Sequence, residues 1–147
     1  KSTSCPDQLA QALKTYKAKK GDKLFEDTLL DRRPSRAVTF VDNHDTELGQ
    51  ALESWVLDWF KPLAYSLILL RKEGFPCVFY GDYYGLPNCG IRPVEKLPVL
   101  LKLRKYFAYG EQKDYFEHEN IVALYIIILF HADNHVFLFL PICVFVR

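Results

Sequence analysis

The chain has 147 residues, and its composition is that of a globular protein, since half of the residues are hydrophobic and 15% are aromatic. Its 19 lysines and arginines nearly balance 18 aspartates and glutamates. No strong electrostatic field is therefore available to attract nucleic acid or an anionic membrane. The four cysteines form no CxxC pair, which argues against a zinc site or a redox pair.

The N-terminal part carries weak helix signals. Apolar residues at helical spacing predict a weak amphipathic helix within Ser2–Lys20. A second, short helix is predicted over Leu24–Leu30, followed by a turn around Pro34. No apolar stretch follows Lys1, so no signal peptide is predicted. The compartment in which the protein acts stays open.

A strand, a helix and a second strand follow in the predicted order. Ala37–Val41 is a short apolar, β-branched run that predicts a buried strand. Pro62–Lys72 predicts a helix that Gly74 ends. Pro76–Tyr80 predicts a second buried strand, in which Cys77 is a small core residue. Because apolar strands joined by a helix are typical of a parallel βαβ unit, the sequence predicts an α/β fold.

The C-terminal part changes character along its length. A helix is predicted between Val94 and Tyr106, and Pro98 must either start it or kink it. Tyr106–Tyr115 is aromatic and polar, which predicts a surface loop. Ile121–Val146 is then mostly apolar.

This apolar tail is a poor candidate for a membrane span. Polar residues interrupt its middle, namely His131, Asp133, Asn134 and His135. A central aspartate costs roughly 2.5–3.5 kcal/mol on insertion, and the flanking apolar runs are shorter than the roughly 20 residues that a span needs. A metal site formed by the two histidines and the aspartate is a weaker alternative.

The strongest chemical signal is the polar run that follows the first predicted strand. Four consecutive positions hold two carboxylates, an amide and an imidazole, namely Asp42, Asn43, His44 and Asp45. Gly81–Asp82 closes the second strand in the same way. Functional groups of parallel α/β folds gather at these strand ends, although a solvated loop also accounts for the run. A metal site of its carboxylates and imidazole matches no specific spacing, and no G-x-S-x-G elbow accompanies them.

The polar run lies inside a longer segment that resembles a known family. Ala37–Thr46, AVTFVDNHDT, resembles the last active-site motif of glycoside hydrolase family 13, the α-amylases. Gly49–Gly85, which ends in FPCVFYGDYYG, is similar to the seventh helix and eighth strand of bacterial liquefying-type amylases. Leu24–Leu30 and Tyr106–Val122 resemble segments of the same enzymes. The resemblance implies a partial TIM (β/α)8 barrel, about the last two βα units, within residues 1–122.

The resemblance also implies roles for individual residues. Asp45 matches the catalytic carboxylate that stabilises the oxocarbenium-like transition state, and His44 matches a histidine that hydrogen-bonds the sugar. Asn43, at a position that shapes the loop, joins His44 as a substrate-binding residue. The implied reaction is hydrolysis of α-1,4-glucosidic bonds of starch or glycogen with retention, so the implied partner is an α-glucan. Packing or sugar stacking explains four nearby aromatic residues, Trp55, Trp59, Tyr83 and Tyr84.

Other features depart from the family. The sequence has no match to the family's R-x-D nucleophile motif or to its glutamate strand. A complete barrel takes roughly 200 residues or more. We therefore expect a C-terminal barrel fragment, inactive alone, followed by an aberrant apolar tail at residues 123–147. The alternatives are a non-catalytic remnant or sugar-binding fragment, and a small membrane-associated protein built on the tail.

The family usually binds structural calcium, but this sequence departs from the expected ligands. Most of the ligands would come from segments that the sequence does not contain. Glu119 and Asn120 stand where the liquefying enzymes tend to carry His and Asp. This difference argues against a metal ligand from this chain.

Overall fold

The computed structural model of the chain describes residues 25–118, 121–130 and 136–145. Four helices are found there, α1 (Leu29–Arg32), α2 (Lys61–Leu70), α3 (Tyr80–Tyr84) and α4 (Leu97–Tyr106). The strands are β1 (Val38–Thr39), β2 (Phe75–Pro76), β3 (Glu111–His118), β4 (Ile121–Phe130) and β5 (Val136–Phe145). Three expectations lie outside the described residues: the helix within Ser2–Lys20, the positions Glu119 and Asn120, and the polar residues 131–135 of the tail.

Helix α1 begins later than the sequence predicted. Thr28 caps it, because its side-chain oxygen accepts a hydrogen bond from the backbone N–H of Asp31 at 3.2 Å. The helix therefore covers Leu29–Arg32 and overlaps the predicted span, Leu24–Leu30, only at its end. The turn expected around Pro34 is a short 3-10 helix.

Strands β1 and β2 form a two-stranded parallel sheet, with Val38 opposite Phe75. The backbone N–H groups of Phe75 and Cys77 donate to the carbonyls of Ala37 and Thr39 at 2.8 and 2.7 Å. This pairing, with α2 between the strands, confirms the parallel βαβ prediction. The ladder is shorter than predicted, and the core position expected for Cys77 is wrong because this side chain is exposed.

Helix α2 supplies most of the core. It starts at Lys61 with a proline in its first turn, as the sequence predicted within one residue. It ends at Leu70, where Arg71 turns to an extended conformation, so the predicted end at Gly74 is wrong. Gly74 instead shapes the turn into β2. Its φ is 84°, and an added Cβ would lie 2.9 Å from the Leu30 side chain.

The core lies between α2 and α4. Its buried members are Val41, Ala64, Tyr65, Ile68, Leu69, Leu70, Val94, Leu97 and Leu100. Pro98 stands in the first turn of α4 and starts the helix, which decides between the two predicted roles. Near the C-terminal end of α4, the Arg104 guanidinium donates hydrogen bonds to the backbone carbonyls of Leu69 and Arg71, which stabilises the C-terminal end of α2.

Strands β3, β4 and β5 form an antiparallel sheet in that order. The surface loop predicted over Tyr106–Tyr115 is therefore wrong from Glu111 onward. Polar β3 pairs with apolar β4, Glu111 opposite Ile127, so tertiary pairing overrides the polar composition. No helix in the described ranges is long and apolar enough to cross a membrane. The expected division after residue 122 stays a prediction, and β4 runs across that position.

Candidate functional site

The polar run after β1 forms a turn that the side chain of Asn43 organises. Its Oδ1 accepts hydrogen bonds from the backbone N–H groups of Asp45 at 2.9 Å and Thr46 at 3.0 Å. In return, the Thr46 hydroxyl oxygen accepts the backbone N–H of Asn43 at 3.0 Å. Thr46 is buried. Such Asx turns fix the backbone without secondary structure, so we call Asn43–Thr46 the Asx turn.

The two middle residues of the Asx turn face solvent. The side chains of His44 and Asp45 are 82% and 57% exposed, and His44 Nε2 lies 3.5 Å from Asp45 Oδ1. An exposed pair at this distance contributes little to stability. Both side chains are therefore accessible to a ligand at the C-terminal end of a parallel strand.

Asp42 directly precedes the Asx turn but is buried. Its Oδ1 accepts the backbone N–H of Val56 at 3.3 Å. A further backbone hydrogen bond, from Ser54 N to Thr46 O at 3.0 Å, brings the same two stretches together. The carboxylate of Asp42 therefore closes the loop of residues 42–56 that carries the Asx turn.

A buried lysine links this carboxylate to the end of the second strand. Lys61 Nζ lies 3.1 Å from Asp42 Oδ2 and 2.5 Å from Asp82 Oδ1. The Tyr65 hydroxyl donates to Asp82 Oδ2 at 2.6 Å, and the Trp55 ring lies 3.1 Å from Nζ. We call Asp42, Lys61, Tyr65 and Asp82 the buried cluster. All four side chains are fully buried, and the cluster joins both strand ends.

Two carboxylates against one ammonium group leave the buried cluster short of positive charge. Burial raises the pKa of Asp42 from 3.8 to about 6, although the nearby Lys61 ammonium opposes the shift. Its Oδ2 accepts no well-oriented hydrogen bond, so the contact with Lys61 is an ion pair only. Burial, and then the Asp82 carboxylate, also raises the pKa of Tyr65. The phenol therefore remains a hydrogen-bond donor.

The sequence located the site but not its support. It predicted that polar groups gather at two strand ends, and the buried cluster joins those ends. Lys61 was missed, because a lysine at the start of a helix is ordinarily solvated. The one feature of the sequence that indicates burial of Lys61 is the apolar residues on both sides, with Phe60 before it. The structure also separates Asp42 from the exposed His44 and Asp45.

The nearby aromatic residues divide into two groups. Trp55 covers the Lys61 ammonium, and Tyr83 packs against the core. Trp59 and Tyr84 are exposed, and Tyr84 lies 4.7 Å, centroid to centroid, from Tyr80. At least the first two therefore have structural contacts that account for them.

A calcium ligand from this chain stays a prediction. The described part of the chain contains no group of three or more His, Cys, Asp or Glu side chains that could hold a metal ion.

No family model matches the chain, but several curated proteins do. It is 57% identical to the α-amylase of Geobacillus stearothermophilus over 101 residues, which are 68% of this chain and 18% of the relative. It is 53% identical to the glucan 1,4-α-maltohexaosidase of Bacillus sp. (strain 707) over 101 residues, covering 68% and 20%. With the cytoplasmic α-amylase of Escherichia coli it shares 44% identity over 112 residues, covering 69% and 23%.

These similarities relate the chain to the glycoside hydrolases. Within that class, the aligned two thirds of the chain are homologous to bacterial α-amylases, which confirms the resemblance carried by AVTFVDNHDT and FPCVFYGDYYG. The chain spans only about a fifth of the length of these three relatives, 18–23% of each.

Proposed function

We propose that the chain forms part of the active site of an α-amylase-type glycosidase that hydrolyses α-1,4-glucosidic bonds of starch or glycogen with retention. The observation that carries this proposal is the exposed pair, His44 and Asp45, on an Asx turn at the end of a parallel strand. Catalytic groups of α/β barrels occupy that position. In this proposal β1, α2 and β2 belong to about the last two βα units of a partial TIM barrel.

The chemistry of glycoside cleavage suits an aspartate in this position. Positive charge develops at the anomeric carbon in the transition state, and a fixed carboxylate stabilises it. Asp45 is proposed to be that carboxylate, because the Asx turn holds its backbone while its side chain stays free of buried contacts. His44 is proposed to donate a hydrogen bond to a sugar hydroxyl, which strengthens as the transition state forms.

Asn43 contributes to the proposed site through the turn. Its Oδ1 is already occupied by two backbone N–H groups, those of Asp45 and Thr46. A direct role for Asn43 in substrate binding stays a prediction. Its contribution to the orientation of Asp45 is supported by these two hydrogen bonds.

Hydrolysis also needs a nucleophile and an acid/base about 5 Å apart, and the sequence has no match to the family motifs that supply them. We propose that the 147-residue chain alone is inactive. A reducing-sugar assay with soluble starch and the purified chain tests this. Release of maltooligosaccharides above the blank, abolished by Asp45→Asn, would contradict the proposal.

The role of Asp45 is tested in a complete barrel, made by fusing this segment to the remaining part of a related amylase. Asp45→Asn keeps the shape and removes the charge, so kcat should fall on the order of 10²–10³-fold, while the melting temperature changes little. Asp58→Asn removes an exposed carboxylate outside the Asx turn and serves as the matched control. A normal kcat in Asp45→Asn would end the catalytic assignment.

A further inference from the structure

The side chain of Asp42 joins the two ends of the loop that carries the Asx turn. Asp42 follows Val41, which is fully buried, and directly precedes Asn43. Its carboxylate holds the far end of the loop through the Val56 N–H. A change in the position or charge of this carboxylate therefore alters the contacts at both ends of the loop.

That carboxylate is kept in place by Lys61, which sits on a different element. Lys61 is the first residue of α2, and its ammonium group is shared between Asp42 and Asp82. Two buried carboxylates without this cation would repel each other and lack compensation for their lost hydration. The Trp55 ring centroid lies 3.1 Å from the same nitrogen, and Lys61 is only 1% exposed.

We propose that Lys61 is a positioning residue, whose ammonium group holds the Asp42 carboxylate and thereby the Asx turn that presents His44 and Asp45. The positioning of the turn follows from the contacts of the buried cluster. The consequence for catalysis rests on the proposed function. Lys61 itself, being buried, does not touch the substrate in this arrangement.

Amide hydrogen exchange on the 147-residue chain tests the positioning. The reporter amides are those of Asp45, Thr46 and Val56, which are bonded to the loop's own side chains. The α2 amides report global unfolding. In Lys61→Met, the reporter amides should exchange about tenfold faster or more relative to those of α2, because a charge-assisted contact is lost. Equal acceleration of both sets would overturn the proposal.

The two carboxylates of the buried cluster provide a matched pair of variants. Asp42→Asn keeps an oxygen that can accept the Val56 N–H but loses the charge link to Lys61, so the reporter amides should again exchange faster. Asp82→Asn leaves the link between Asp42 and Lys61 intact and should leave them unchanged. The same effect from both variants would overturn the proposal. If Lys61→Met does not fold, as judged by circular dichroism, this pair decides alone.

A double variant separates the lysine from the carboxylate. If Lys61 acts through Asp42, adding Lys61→Met to Asp42→Asn should accelerate the reporter amides no further. Additive effects of the two substitutions would show that Lys61 reaches the turn by another route, and would overturn the proposal.

Kinetics of the complete barrel tests the catalytic consequence. Lys61→Met should lower kcat per folded molecule about tenfold or more, with a smaller change in KM, because a displaced Asp45 stabilises the transition state less well. Asp82→Asn should retain kcat. An unchanged kcat in folded Lys61→Met would overturn the catalytic part. A normal kcat in Asp45→Asn would instead refute the proposed function, and the exchange pattern would still decide whether Lys61 holds the turn.

Discussion

Asp42 of the buried cluster and Asp45 of the Asx turn stand three residues apart in the same polar run, yet they have opposite environments. Asp42 is buried, and its Oδ2 lies 3.1 Å from the Lys61 ammonium. Asp45 is 57% exposed, and its Oδ1 lies 3.5 Å from His44 Nε2. Both are aspartates in the same polar run, so composition and spacing alone do not distinguish their environments.

This difference in burial indicates which carboxylate is available to a ligand and which one supports the fold. A carboxylate that stays hydrated in the folded chain loses little on folding, and its removal changes stability little. Such a group can be used on a ligand. A carboxylate that is buried on folding must be paired, so removal of the carboxylate or of its partner changes the free energy of unfolding.

Removal of the shared cation should have the largest effect on stability. Lys61→Met leaves two buried carboxylates without their ammonium group, and the free energy of unfolding should fall by about 3–5 kcal/mol. Urea denaturation measures it. Lys72→Met, at an exposed lysine just after α2, should stay within about 0.5 kcal/mol. Similar losses in both variants would remove the distinction between buried and exposed charges.

Acidification should stabilise the folded chain through Asp42. Because its pKa is raised from 3.8 to about 6, the folded chain binds this proton more tightly than the unfolded chain does. The contribution is complete below pH 4 and is lost as pH rises to about 6, a change on the order of 3 kcal/mol. The free energy of unfolding of wild type and of Asp42→Asn should be measured by denaturation at several pH values. The difference between the two should change between pH 4 and 6, because only the wild type has this titrating group. A constant difference between them would contradict the raised pKa.

Loss of one hydroxyl should have a smaller effect. Tyr65→Phe removes the donor to Asp82 and the acceptor of the Phe79 N–H. The free energy of unfolding should fall by about 1.5–3 kcal/mol. Tyr84→Phe, at an exposed tyrosine, is the matched control and should stay within about 0.5 kcal/mol. An equal loss in the control would mean that burial of the hydroxyl is irrelevant.

Truncation in the Asx turn should affect stability least. His44→Ala should change the free energy of unfolding by less than about 0.5 kcal/mol, since the imidazole is exposed. In the complete barrel it should lower kcat about tenfold, less than Asp45→Asn, because it removes one hydrogen bond and leaves the carboxylate charge in place. A lowered melting temperature with a normal kcat would show that His44 only supports the loop.

Much of the fold was predictable from local pattern. The apolar, β-branched runs around Thr39 and Pro76, joined by a helix, predicted the parallel pairing, because both period and composition are local properties. The start of α2 near Pro62 was predictable for the same reason, since proline suits a first turn. At Pro98 the sequence left a helix start and a kink as alternatives, and the structure shows the start. The exposure of Cys77 and the strand that begins at Glu111 were not predictable, because both depend on which elements pack or pair in the folded chain.

The sequence by itself determined the parallel βαβ unit and the homology to bacterial α-amylases, since hydrophobic period and motif spacing are read residue by residue. It also singled out the polar run from Asp42 to Asp45. Only the tertiary structure decided which of these carboxylates is buried and which faces water. That choice depends on Lys61, which is nineteen positions beyond Asp42 in the chain and 3.1 Å from it in space. A buried lysine is stable only when it is paired with carboxylates, and here folding brings those carboxylates to it from distant parts of the chain.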